Sequence, residues 1–435
     1  MRTFALSVIA IALLASRSTL GAGGEITLSV AGRTNATPWI ASDGTVVAVT
    51  WGARSPAGAG DIFVAISRDA GASFGSPVQV NKLAGEARLS GETGPRVVVT
   101  RSAIAREPQV VVLWNAKANG ETHIRTARSV DGGRTFAVPQ TLQEAGAAGD
   151  RGWPALAVDD GGIGHALWLD HRGMANPDGT HQHAGHDASA PVSEKRDGVA
   201  MAQKSGLYYS RVGGDGVGSD RELVKGVCYC CKTALVAGGS GNLFATWRQV
   251  YAGNVRDIAF AQSRDGGKTF SAPVRISEDG WQLDGCPDDG PAMVVDRAQT
   301  VHIVWPTVIG GAHPEGALFY TSTRDGRTFT ARQRIPTLGG PKPSHPQIGL
   351  DRSGQLYVAW DEVRNGVRSA AIRTLTVSSG NAAFGEALTI SGPSAYPVMA
   401  AAPQGVLVAW TSGSADQSTI KVRRVDAQPG GTALP

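Results

Sequence analysis

No stretch of this sequence carries apolar residues at the three- and four-residue spacing of a helix. Aromatics are sparse at 6%, while glycine is abundant at 57 residues. Together these argue against a helical domain and for a turn-rich, all-β chain. Charge of one sign is also lacking. The formal net charge of +4 includes Arg2 and Arg17 near the start, so the remainder is close to neutral and implies no nucleic-acid or acidic-membrane partner. The N-terminus carries an apolar run from Phe4 to Ala15, preceded by Arg2 and followed by small residues through Leu20-Gly-Ala22. It is too short to span a bilayer comfortably, and no Cys follows it to accept a lipid. The expectation is a signal peptide over 1–22, cleaved near Ala22, and a periplasmic or secreted protein with no membrane span. There is no Cys-x-x-Cys-His for covalent haem, no Gly-rich phosphate loop for a nucleotide and no nucleophile-elbow Ser.

What the chain does have is repetition. Ser263-Arg-Asp-Gly-Gly-Lys-Thr-Phe270 recurs as Ser67-Arg-Asp-Ala-Gly-Ala-Ser-Phe74 and as Ser129-Val-Asp-Gly-Gly-Arg-Thr-Phe136. A version one residue shorter is Thr323-Arg-Asp-Gly-Arg-Thr-Phe329. Each copy separates two alternating apolar runs, which predicts a hairpin turn. The Asp accepts bonds from turn N–H groups, the Gly permits positive φ, and the Phe packs beneath. This motif resembles the Asp-box, or bacterial neuraminidase repeat, of the sialidase superfamily. The resemblance implies a β-propeller and says little about chemistry.

A second period is marked by tryptophan. Pro38 to Trp51, Pro95 to Trp114, Pro154 to Trp168, Pro291 to Trp305, Pro346 to Trp360 and Pro397 to Trp410 repeat one pattern, and Thr233 to Trp247 repeats it with Thr for Pro. Modules recurring at roughly 50–60 residues predict a propeller of seven four-stranded blades over 23–426, with a disordered tail at 427–435. The last module supplies only three strands, so Glu25-Ile-Thr-Leu-Ser-Val30 is expected to close the ring as its outer strand. Six blades, the number the sialidase resemblance implies, is the alternative.

One face of such a propeller carries the inter-blade loops, and here those loops are unusual. A loop of about 35 residues follows Trp168 and holds His171, Met174, His181, His183 and His186. The next connection reads Val227-Cys228-Tyr-Cys230-Cys231-Lys232, and the one after it carries Cys286. His313 and His345 lie further round the same face. Two readings of the cysteines stand side by side. In the first they are disulfides, with Cys286 bonded to Cys230 or Cys231 and the other two paired, a Cys230–Cys231 bridge being disfavoured by its short Cα separation. In the second, Cys228 and Cys230 chelate a soft ion that Cys231, Cys286 and the histidines complete. Thiolate and imidazole suit copper or zinc, and the Met174 thioether favours copper.

The sialidase resemblance also implies a Tyr nucleophile and an Arg triad. Tyr396, in Pro393-Ser-Ala-Tyr-Pro397, resembles the nucleophile region. The position of the first Arg reads Asn35-Ala-Thr-Pro38, and Arg334-Ile-Pro336 lies elsewhere in its module. Asp61 matches Asp257 by strand position, which marks both as repeat residues. The expectation is a propeller that binds rather than cleaves. Its ligand would be copper or zinc, for metal handling or for docking an envelope protein. A glycan partner, an exo-sialidase and a metal-free, disulfide-stapled scaffold are the alternatives.

Overall fold

A computed structural model describes residues 19–100, 106–142, 147–174, 198–213, 216–283, 287, 289–311, 313–390 and 392–428. Seven antiparallel sheets follow one another along the chain. Their first strands are Thr34–Asp43, Arg96–Thr100, Arg151–Val158, Ala234–Ala237, Ala292–Val295, Ser344–Leu350 and Ser394–Ala401, opening blades 1 to 7. Each first strand touches the first strands of both neighbouring blades, so the seven ring a central channel. Five sheets have four strands, and blades 3 and 6 add a fifth, Arg221–Lys225 and Leu388–Thr389. The seven-bladed expectation holds.

Closure is as the module count requires. Thr19–Leu28 pairs with Thr419–Gln428 as the outer strand of blade 7, after Ser394–Ala401 and Val406–Ser412. The strand begins earlier than the expected Glu25 because Thr19 to Ala22 continue the pairing onto Gln428 to Val425, across a register shift before Glu25. It ends at Leu28, two residues short of Val30. Sequence alternation could not show this, since Gly21, Gly23 and Gly24 have no side chains to alternate.

The repeated tryptophans hold the blades together. Trp51, Trp114, Trp168, Trp247, Trp305, Trp360 and Trp410 lie on second strands and are all 1% exposed or less. Each packs onto the preceding blade: Trp305 lies against Phe244, Ile258 and Phe260 of blade 4, and Trp51 against Val398 and Leu407 of blade 7. A polar atom meets most of the indole N–H groups, as in Trp360 Nε1 donating to Glu362 Oε2 at 2.8 Å and Trp51 Nε1 to Asn35 Oδ1 at 2.9 Å. Burying an indole with its donor satisfied avoids the cost of an orphaned polar group.

The four Asp-containing turns, three of eight residues and one of seven, join third to fourth strands, on the face opposite the inter-blade connections. In the first, Ser73 N and Ser73 Oγ donate to Asp69 at 2.9 and 2.6 Å, and Gly71 N donates to Ser67 Oγ at 2.8 Å. Thr135 and Thr269 make the same bonds to Asp131 and Asp265. The Gly after each Asp adopts positive φ, 85° at both Gly71 and Gly133, a conformation in which a Cβ would be strained. Asp61 and Asp257 tie down the loop after the fourth strand, accepting from Gly85 N at 2.7 Å and Asp279 N at 3.1 Å respectively. They are repeat residues in structure as well as in sequence.

Candidate functional site: a thiol pair beside the channel

The loop after Trp168 has more structure than expected. It opens with a short 3-10 turn, Arg172–Met174, and ends with a helix, Gly198–Lys204, which leads into the third strand of blade 3, Gly206–Gly213. His181, His183 and His186 lie outside the described residues, as does Cys286.

The Cys228–Cys231 segment is docked on blade 4. Cys228 N donates to Arg248 O at 2.9 Å, and Val250 N returns a bond to Gly226 O at 2.9 Å, which lays the segment along the second strand Leu243–Tyr251. Cys228, Cys230 and Cys231 are buried together with Ala202 and Val250, and Trp153, Val199 and Tyr229 pack around them. The three sulfurs lie within 4.8 Å of one another, a group that could in principle hold a metal ion.

They are not equivalent. Cys230 is disulfide-bonded, whereas Cys228 and Cys231 are free. This corrects the expected Cys228–Cys230 chelate, because a disulfide sulfur is not a thiolate ligand. The free thiols stand at Cys-x-x-Cys spacing, with Cys231 Sγ donating to Cys228 Sγ at 3.1 Å. The disulfide reading holds for Cys230 and is corrected for the other two, which are not paired. Cys230 Sγ is 4.0 Å from Cys228 Sγ.

A guanidinium completes the pair. Arg256 Nη1 donates to Cys228 Sγ at 3.1 Å, from a third-strand position with no exposure. Arg256 Nε bonds Asn254 Oδ1 at 3.1 Å, and its buried Nη2 has no partner among the described residues. Arg248, equally buried, donates to Arg256 O at 3.0 Å and Pro306 O at 2.7 Å. Burial opposes charge on Cys228. The Cys231 S–H, then Arg256 and Arg248, outweigh it and bring the Cys228 thiol down to about 6. Burial, then the bond and charge of Cys228, push Cys231 well above its ordinary value. Charge is thus favoured on Cys228, beside Arg256, and a retained proton on Cys231.

His171 is near this group but not in it. Its ring lies 6.0 Å from that of Trp153 and 6.5 Å from that of Tyr229, centroid to centroid. Burial lowers its pKa, and its buried Nε2 has no partner among the described residues. It stays outside the group of sulfurs within 4.8 Å.

A second polar cluster lies where the first strands begin. Thr37, Trp153, His345 and Tyr396 each precede a module-opening Pro, and each adopts a left-handed φ of 52° to 54°. The pairing register shifts at all four positions, after Ala36, Gly152, Ser344 and Ala395. Left-handed backbone at non-glycine residues costs energy and collects where side chains must be aimed. His345 Nδ1 is 2.7 Å from Asp361 Oδ2, its Nε2 is 3.3 Å from Glu92 Oε1, and its ring lies 4.2 Å from that of Tyr396. His345 was foreseen on this face; its acidic partners Glu92 and Asp361 were not. His313 is exposed.

No protein-family model matches the chain, and no curated protein matches it. Solved structures do. An ulvan lyase described as a new family of polysaccharide lyase aligns over 93% of this chain and 96% of its own, at TM-score 0.54 and 10% identity. The polysaccharide lyase Uly1 aligns over 92% and 91%, at TM-score 0.52 and 11% identity. A protein of unknown function from Dyadobacter fermentans aligns over 94% and 99%, at TM-score 0.51 and 13% identity. At such identities the likeness concerns the fold alone.

Proposed function

We propose that this chain is an exported propeller that binds rather than cleaves, and that its ligand is copper(I) held between Cys228 and Cys231. The observation that carries the reading is the buried pair of free thiols, sulfur to sulfur at 3.1 Å, with the Arg256 guanidinium 3.1 Å from Cys228; its thiolate form is expected to hold one proton between the two sulfurs. A soft monovalent cation can replace that proton without changing the charge of the pocket. The site is then two thiolates and one Cu(I), still carrying one negative charge opposite Arg256. A divalent zinc ion would neutralise the thiolates and leave Arg256 buried without its counter-charge. Zinc also calls for four ligands, and the described residues bring only two free thiols to the group. The two sulfurs must move apart to admit an ion. Copper capture in the envelope, or copper-dependent docking of an envelope protein, is the role that fits an exported chain.

Anaerobic titration with Cu(I) against a chromophoric chelator tests this. One equivalent is expected for the wild type and none for Cys228→Ser or Cys231→Ser, with His171→Ala unaffected. Unchanged copper content in Cys228→Ser contradicts the reading. Absence of free thiols after denaturation also contradicts it, because the pair would then be a staple.

A further inference from the structure

Cys228 and Cys231 are each 1% exposed, so an ion can reach them only through what covers them. Their segment is laid along the strand Leu243–Tyr251, which closes one side. The helix Gly198–Lys204 closes another, with Ala202 buried among the cysteines and Val199 packed against them. Both ends of this helix are seated closely. A Cβ on Gly198 would lie 3.0 Å from Arg256 Nη2, and a Cβ on Gly173 would lie 2.5 Å from Lys204 O. The cover therefore runs from the guanidinium beside Cys228 to the turn Arg172–Met174, which begins directly after His171.

His171 stands where this cover meets the cysteine segment. Its N–H donates to Asp150 O at 2.9 Å and its carbonyl accepts from Met174 N at 2.8 Å, which fixes its backbone. Its ring donates to the backbone of Tyr229, the residue between Cys228 and Cys230. The donor is Nδ1, because the buried Nε2 has no partner. The imidazole is thus held in one tautomer, with a bare lone pair on Nε2. The Trp153 ring, 6.0 Å away, does not cap that lone pair, since its own buried Nε1 is without a partner too. A buried acceptor with no donor is unfavourable in the empty protein. What such a nitrogen can take is a soft cation. It cannot keep one already held by both sulfurs, because Nε2 lies outside the group of atoms within 4.8 Å of one another.

We infer that His171 Nε2 is the entry ligand of the thiol site: copper(I) binds there first and is then passed to Cys228 and Cys231. The inference rests on the copper reading above and adds to it a residue and an order of events. The transfer is a ligand exchange without oxidation or reduction. The bond from Nε2 to copper breaks as the bonds to sulfur form, and the thiol proton that copper displaces leaves to solvent. Two thiolates hold a soft ion more firmly than one imidazole, so the exchange runs towards the sulfurs.

The experiment is anaerobic stopped-flow transfer of copper(I) from its bicinchoninate complex to the full metal-free chain, read by the loss of the complex's colour. His171→Ala is expected to reach the wild-type copper content at a rate lower by roughly tenfold or more, with circular dichroism unchanged. His171→Met, which offers a thioether in place of the imidazole, should restore most of the rate. His171→Gln, which keeps a hydrogen-bonding side chain without a soft donor, should not. A second measurement serves if the His171 variants fold poorly. In Cys228→Ser/Cys231→Ser, labelled with 15N-histidine, silver(I) as a redox-inert stand-in should shift the His171 Nε2 signal. Equal rates for the wild type and His171→Ala, or an unshifted His171 signal, overturn the inference and leave the copper reading standing. Loss of bound copper in His171→Ala also overturns it, because His171 would then be a ligand of the final site. No uptake by the wild type overturns the copper reading itself, and the inference with it.

Discussion

The octapeptide turns and the channel-mouth positions are both repeats of one backbone, and they differ in what the side chains do. In the turns, Asp69, Asp131 and Asp265 hold the same hydroxyl and the same N–H at nearly the same distances. At the channel mouth, Thr37, Trp153, His345 and Tyr396 share a φ of 52° to 54° but no side-chain chemistry. One face repeats its residues because blades 1, 2, 4 and 5 use the same turn. The other repeats only its geometry and presents different groups to one central space. In a propeller, a position where the backbone repeats and the residue does not is where to look for a ligand.

That contrast can be tested from the framework inward. Trp305→Ala removes a fully buried indole between blades 4 and 5, and is expected to destabilise by about 3–5 kcal/mol. A comparable loss is expected for Trp360→Ala, measured by denaturant unfolding; a near-neutral result at either would deny that the tryptophans are equivalent. Arg256→Gln should leave the fold in place but raise the Cys228 thiol from about 6 towards its ordinary range. The thiolate absorbance near 240 nm, followed against pH in the metal-free protein, reads this directly. If the midpoint stays put, the guanidinium is not the counter-charge.

His345 offers a pH dependence of definite sign. Burial lowers its pKa, but Asp361, then Glu92 and Asp289, outweigh burial and raise it. Its contribution is therefore complete below the unfolded value of about 6.5, and is lost as pH rises through the higher folded value. His345→Gln should flatten that alkaline decline in stability, and an unaltered pH profile would contradict the pairing. The smallest effects belong to the turns. Asp69 is held at about 2 by the Ser73 and Ser67 hydroxyls and the Ser73 N–H. Its contribution is present above the unfolded value of about 3.9 and disappears as pH falls through about 2. Asp69→Ala and Asp131→Ala are each expected to lower Tm by about 2 °C or less, and by equal amounts. Unequal losses would mean that the turns are not interchangeable.

Much of the fold was legible because it is periodic. Tryptophan spacing numbered the blades, and the missing fourth strand of the last module pointed to the N-terminus. The start of that strand at Thr19 was hidden by glycine, which leaves no alternating pattern to read. The candidate site was legible in part. Cysteine and histidine content pointed to blades 3 to 5, but residue type alone could not separate the disulfide-bonded Cys230 from the free pair. The Cys228-x-x-Cys231 spacing was a usable signal for that pair. Arg256 gave none, since it sits among the alternating residues of a strand and only the fold carries its guanidinium to a sulfur. Glu92 and Asp361 were likewise silent, because Glu92 reaches His345 from the connection between blades 1 and 2 and Asp361 from the second strand of blade 6. The residues before the opening prolines did carry a signal, as Thr, Trp, His and Tyr at one repeat position.

The most direct test of the central claim is the number of protons released when Cu(I) binds. With the Cys228 thiol lowered to about 6 and Cys231 raised well above its ordinary value, anaerobic addition of one equivalent near pH 7.5 should release about one proton. Cys231→Ser should abolish the release. Two protons per copper would mean that both thiols are neutral before binding, and no release would place the metal elsewhere. Either result contradicts a proton-for-copper exchange between Cys228 and Cys231.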